Sequence, residues 1–252
     1  MNLIRQPSPN HEPRRGDVID MLVLHYTGMQ SAQAALDRLC DSQAKVSAHY
    51  LIDEDGTIHA LVPESQRAWH AGLSYWRGET DINSRSIGIE LVNPGHEFGY
   101  RAFPEDQIAA LIRLCAGILS RHSIPPWNVI GHSDVAPARK QDPGELFPWQ
   151  RLKGHGIGLW PFDDIGLGPC DDIGLRPCDG IGLRPCDGPE TQAIGDDKLI
   201  AMLGRYGYDT ADPGAAIAAF QRHFRPSKVD GLGDAETAGR LARLLGGLPL
   251  GM

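Results

Sequence analysis

Between residues 1 and 152, short apolar runs closed by turn residues alternate with stretches whose apolar side chains recur at helical spacing. That alternation restricts the chain to an α/β architecture, a mixed central sheet flanked by helices. Met21 to His25 (MLVLH) follows the turn-forming pair Gly16-Asp17 and predicts a buried strand. Residues 31–41 put Ala35, Leu36, Leu39 and Cys40 at helical spacing behind Ser31, a favoured N-cap residue type. Ala48 to Ile52 predicts a second strand, the Asp53-Glu54-Asp55-Gly56 turn closes it, and Thr57 to Val62 completes a hairpin-like pair. Ser86 to Val92 reads as another buried strand. Pro104 to Arg121 reads as a long helix with Ile108, Leu111, Ile112, Cys115, Ile118 and Leu119 on one face. Val129 to Gly131 predicts a short strand that ends at His132.

The pattern breaks at residues 155–188, which read HGIGLWPF, DDIGLGPC, DDIGLRPC, DGIGLRPC, DG: one octapeptide written four times, its first copy diverged. A short period rich in Gly, Pro and Asp cannot bury a core alone, so it reads as a linker. A ligand array of Cys170, Cys178 and Cys186 is the functional alternative, but seven-residue gaps are not a usual metal spacing. Helical periodicity returns over Asp197 to Gly204, Pro213 to Phe224 and Glu236 to Leu245, a small three-helix module. The chain therefore divides into an extension at 1–17, an α/β domain at 18–152, a linker at 153–190 and a helical domain at 191–252.

Composition excludes some classes. A net charge of −8 with no long Lys/Arg run argues against a nucleic-acid partner. No apolar stretch approaches the roughly 20 residues that span a bilayer. Five cysteines without a C-x-x-C argue against a disulfide framework or a zinc ribbon. The N-terminus lacks the apolar core of a standard secretory signal, which points to the cytoplasm, with the periplasm or cell envelope as the alternative. Oligomeric state is not legible.

Two of the ten histidines, His25 and His132, close apolar strands, where α/β sheets gather their catalytic groups. With Asp142 they make two imidazoles and one carboxylate, a donor set that leaves zinc a fourth position for water. The alternative for each histidine is a satisfied core residue. Glu90 interrupts an otherwise apolar strand. Buried there, it is either a general base or the partner of a structural arginine such as Arg85. Lys140 either faces a developing oxyanion or is a solvated loop lysine. Trp69 and His70 either line a groove or are a packed tryptophan and a surface histidine. His49, inside a strand, reads as a core histidine.

These stretches resemble the amidase-2 family, in its AmpD/AmiD-like branch. The resemblance rests on LVLHYTG at 22–28, VSAHYLIDEDGTI at 46–58, AWHAG at 68–72, INSRSIGIELVNPG at 82–95 and VIGHSDVAPARKQDPG at 129–144, with FPWQRL at 147–152 as the usual end of the domain. It implies zinc-dependent hydrolysis of the amide between N-acetylmuramic acid and L-alanine, in peptidoglycan or in soluble muropeptides. It implies one zinc ion on His25, His132 and Asp142, Glu90 as acid/base, Lys140 as transition-state stabiliser, and His70 and Asn83 as substrate contacts. The chain departs from phage-type members at Ala48, where they carry Tyr before the strand histidine. The tail resembles a three-helix peptidoglycan-binding module through Ala218-Ala219-Phe220-Gln221-Arg222, Val229-Asp230-Gly231 and Glu236-Thr237. The alternative is a recognition protein that binds wall without cutting it.

Overall fold

The computed structural model describes residues 3–161, 175–177, 183–185 and 196–249. In chain order the elements are β1 (Leu3–Arg5), β2 (His11–Pro13), β3 (Met21–Tyr26), α1 (Ala32–Cys40), β4 (Tyr50–Ile52), β5 (Ile58–Ala60), β6 (Gln66–Ala68), α2 (Ile82–Arg85), β7 (Ser86–Leu91), α3 (Gly95–Phe98), α4 (Glu105–Arg121), β8 (Val129–Gly131), α5 (His132–Val135), α6 (Trp149–Gly154), β9 (Leu175–Pro177), β10 (Leu183–Pro185), α7 (Asp196–Tyr206), α8 (Pro213–Phe224) and α9 (Ala235–Gly246). Six strands form one sheet in the order β1-β5-β4-β7-β3-β8. β4, β7, β3 and β8 run parallel, and β5 returns antiparallel to β4 across the turn at Gly56, whose φ is +81°. The expected mixed sheet is therefore present. Ser31 caps α1 as its residue type predicts, its hydroxyl accepting from the Ala34 N–H at 3.1 Å.

Strand periodicity divides the sheet into two faces. Leu22 and Leu24 of β3 and Ile87, Ile89 and Leu91 of β7 point to one side, where they pack with Ile108, Leu111, Cys115 and Ile118 of α4. The alternate positions of β3 (Met21, Val23, His25) and β7 (Ser86, Gly88, Glu90) take the other face. That second face carries both the candidate site and the C-terminal helices. Met21, Val23, Trp76, Ile130 and Val135 share one buried cluster with Leu203, Tyr206, Tyr208, Phe220 and Phe224. Trp76 is fully buried, edge-on to Tyr208 at 5.1 Å between ring centroids. The Arg77 N–H donates to the Gly207 carbonyl at 3.0 Å.

The N-terminal residues are woven into the domain. β1 pairs with β5, β2 pairs with β6, and Arg14 donates to the carbonyls of Glu64, Ser84 and Ser86 at 2.8–2.9 Å. In the tail, Gln221 ties together the quoted motif. Its amide donates to Asp230 and the Leu232 carbonyl, and its Oε1 accepts from the N–H groups of Asp230 and Gly231. Within the repeat the described residues are 155–161 of the first copy and the antiparallel pair β9 and β10. Cys170, Cys178 and Cys186 lie outside the described residues.

Candidate metal centre and active-site cleft

His25 ends the buried part of β3, His132 follows β8 directly, and Asp142 sits on the loop behind α5. The adjacency of β3 and β8 brings the two imidazoles together. A hydrogen bond from the Ser133 N–H to the Asp142 carbonyl, 2.8 Å, folds the loop back onto them. The Nδ1 atoms of His25 and His132 lie 3.0 Å apart, and Asp142 Oδ2 lies 3.1 Å from the first and 3.0 Å from the second. Zinc bonds of about 2.0–2.1 Å set tetrahedral donors roughly 3.3 Å apart, so this triangle fits one face of such a site with little adjustment. All three residues are buried and form the one cluster of metal-ligating side chains found among the described residues.

The outer nitrogens of both rings are engaged. His132 Nε2 lies 3.0 Å from the Ala71 carbonyl, which can only accept, so Nε2 carries the proton and Nδ1 keeps its lone pair for a cation. His25 Nε2 lies 3.1 Å from His70 Nδ1, and His70 Nε2 lies 3.1 Å from Ser86 Oγ. A chain of donation from His25 through His70 to Ser86 leaves His25 Nδ1 free as well. Burial and the neighbouring His132 lower the His25 pKa to about 4, with Asp142 opposing. Burial would raise the Asp142 carboxyl, but His132 and His25 outweigh it and hold the group far below the ordinary carboxylate range. His25 and Asp142 are thus unprotonated at neutral pH, as metal binding requires.

Glu90 is the register partner of His25 on the adjacent parallel strand. Burial, then the negative Asp142, raise its pKa well above the usual carboxylate value, while Lys140 opposes them. Its Oε2 is buried without a hydrogen-bond partner. Arg85 does not serve it. That guanidinium pairs with Asp20 and Glu79, which removes Arg85 as a structural partner of Glu90. Glu90, Lys140, Trp69, His132 and Asp142 line one open cleft of about 630 Å³.

His70 belongs to the cleft lining, yet it is buried with both ring nitrogens engaged, behind His25, rather than being a surface histidine. Asn83 is buried away from the cleft wall, its Oδ1 accepting the N–H groups of His70 and Ala71. It shapes the loop that carries His70. His49 is a fully buried core histidine whose Nδ1 accepts from the Gly88 N–H at 2.9 Å. Sequence reasoning missed Tyr26, Arg38, His96 and Arg139 in the cleft wall. Tyr26 donates to or accepts from His96 Nδ1 at 2.9 Å, and the ring of Tyr26 covers Gly28 and Gly95. Those two glycines were the readable signal, since a Cβ at Gly95 would meet that ring at 2.6 Å.

The family model described as N-acetylmuramoyl-L-alanine amidase (amidase-2) matches residues 15–145, which include every ligand and both candidate catalytic groups. The chain belongs to the N-acetylmuramoyl-L-alanine amidase family. Similarity extends beyond this amidase domain. The chain is 40% identical over 237 residues to the N-acetylmuramoyl-L-alanine amidase AmiD of Escherichia coli K12, covering 87% of this chain and 79% of that protein. It is 35% identical to the 1,6-anhydro-N-acetylmuramyl-L-alanine amidase AmpD of the same strain, over 59% of this chain and 89% of AmpD. A structure of E. coli AmiD in complex with the substrate anhydro-N-acetylmuramic acid-L-Ala-D-γ-Glu-L-Lys matches with a TM-score of 0.76 at 38% identity, covering 92% of this chain and 91% of AmiD. A structure of AmpDh3 from Pseudomonas aeruginosa matches with a TM-score of 0.74 at 36% identity, covering 91% and 92%. The shared amidase fold therefore includes the C-terminal helices.

Proposed function

We propose that this amidase hydrolyses the amide between N-acetylmuramic acid and L-alanine of peptidoglycan or its muropeptides, with zinc on His25, His132 and Asp142. One observation carries the reading: three donor atoms, 3.0–3.1 Å apart, lie beside the cleft that His132 and Asp142 line together with Glu90, whose buried Oε2 has no partner. Zinc bound there would acidify a coordinated water and polarise the substrate carbonyl. The chain's own groups account for the rest. Glu90, as carboxylate, accepts the proton of the attacking water and returns it to the alanine nitrogen as the C–N bond breaks. Lys140 faces the negative charge that gathers on the carbonyl oxygen. Trp69 offers an aromatic wall to sugar or peptide. The His25–His70–Ser86 chain holds the ligand ring in one orientation.

A recognition protein that binds wall without cutting it would not need Glu90 and all three donors in one cleft. The helical module's role in wall binding rests on its motif resemblance. The test is mass spectrometry of digested peptidoglycan and of soluble anhydro-muropeptide, with and without a chelator. Release of free stem peptide that stops on chelation and resumes with Zn²⁺ is expected. Undiminished release from metal-free protein would defeat the assignment. No helix among the described residues is long and apolar enough to cross a membrane.

A further inference from the structure

Asp134 lies two residues beyond His132 on the same short turn, α5, and is completely buried. Its carboxylate gathers three hydrogen bonds. The Gly131 N–H donates to Oδ2 at 2.7 Å, which fixes the start of the turn that presents His132. The other two donors come from the C-terminal module. The Tyr208 hydroxyl donates to Oδ1 at 2.6 Å and His223 Nδ1 donates to Oδ2 at 2.7 Å. His223 is itself clamped between the rings of Trp149, at 3.7 Å, and Phe224, at 3.8 Å, and its Nε2 is buried without a partner. A buried imidazole with one orphaned nitrogen is retained at a cost. The other nitrogen's bond to Asp134 is the interaction that offsets it. Space around the turn is already full, since a Cβ at Gly131 would lie 2.7 Å from Pro143, next to the ligand Asp142.

We propose that Tyr208 and His223 of the C-terminal module are positioning residues of the metal centre, holding the His132 turn through Asp134, so that the module completes the site as well as flanking it. The proposal rests on the zinc reading above. It goes beyond it, because it assigns a role to groups 74 and 89 residues away from Asp134 in sequence. Outer partners of metal ligands typically govern affinity by ten- to a hundredfold.

The test compares the full chain with a Tyr208→Phe, His223→Phe double variant, which keeps the aromatic stack and removes both donors. Zn²⁺ affinity is read by competition with a chromophoric chelator, and geometry by the visible absorption of the Co²⁺-loaded protein. The double variant is expected to bind Zn²⁺ at least about tenfold more weakly, with an altered Co²⁺ spectrum. His223→Asn, whose amide places a donor where Nδ1 was, should restore most of both. If the double variant does not fold, Tyr208→Phe alone should show a smaller change in the same direction. Unaltered affinity and spectrum in folded variants, even with lowered melting temperature, would overturn the proposal. Failure of the unaltered protein to take up Zn²⁺ would instead overturn the metal-centre reading, and this proposal with it.

Discussion

His25 and Glu90 face one another across the β3–β7 pairing, so a candidate metal ligand and a candidate proton carrier are fixed by a single strand register. Neither depends on a loop for its place. A slip of one strand by one residue would send its own side chain toward the α4 core and part the two groups.

From this pairing, Glu90→Gln should keep the fold and bind Zn²⁺ at near-normal affinity, yet lose about 10²–10⁴-fold in turnover of muropeptide. In the unaltered protein, burial and Asp142 raise the Glu90 pKa, so the carboxylate needed as base disappears on acidification at a higher pH than an exposed glutamate would require. The acid limb of the pH–rate profile should therefore be displaced upward and should belong to Glu90. A variant that cleaves at the normal rate would remove Glu90 from the mechanism.

Lys140→Ala should lower turnover by roughly 10²-fold with little change in metal affinity, because the side chain lines the cleft without joining the donor triangle. Steady-state kinetics beside a Zn²⁺ titration separate the two effects.

Gly88 is the tightest position behind the site. A Cβ there would fall 2.5–2.7 Å from the His70 ring, which holds His25 Nε2. Gly88→Ala should cost about 1–3 kcal/mol of stability through overpacking and weaken Zn²⁺ binding by about tenfold. Calorimetric melting and chelator competition measure both. Normal affinity would show that His70 does not support the ligand.

Glu64 supplies a pH prediction for stability. Burial would raise its pKa, but hydrogen bonds from Arg121, His122 and Tyr50 outweigh it and hold the group at about 2. A depressed carboxyl stabilises the fold above its unfolded pKa of about 4.5 and loses that contribution as pH falls toward 2. Glu64→Gln should flatten the decline in melting temperature across that window, while lowering it at neutral pH. Parallel curves for the two proteins would remove Glu64 from the acid response.

Much of the sheet was legible because MLVLH and SIGIELV carry enough apolar side chains to force burial, with His25 ending the first run and Glu90 interrupting the second. What the runs do not encode is which strands are neighbours. The contact between His25 and Asp142 spans 117 residues of chain, and only the order β7-β3-β8 creates it. The part played by Ser86 and Gly88 was hidden for a related reason. Read as one apolar strand, the segment conceals that every second position faces chemistry. The supporting contacts of His70 and Asn83 were not legible, because each is made to buried partners that sequence cannot display. The link from Asp134 to His223 likewise leaves no local trace.

The two-sided arrangement of β3 and β7 also sets how this enzyme can tolerate inherited change. Substitutions at Leu22, Leu24, Ile87 or Ile89 act on the helix-covered side and should yield heat-sensitive proteins that still hold metal. Substitutions at Ser86 or Gly88 act on the opposite side, against the His70 ring, and should weaken metal binding as well as any stability they cost. Neighbouring codons would thus fall into alternating phenotypes along a single strand, a pattern that saturation mutagenesis of residues 86–91 would reveal directly.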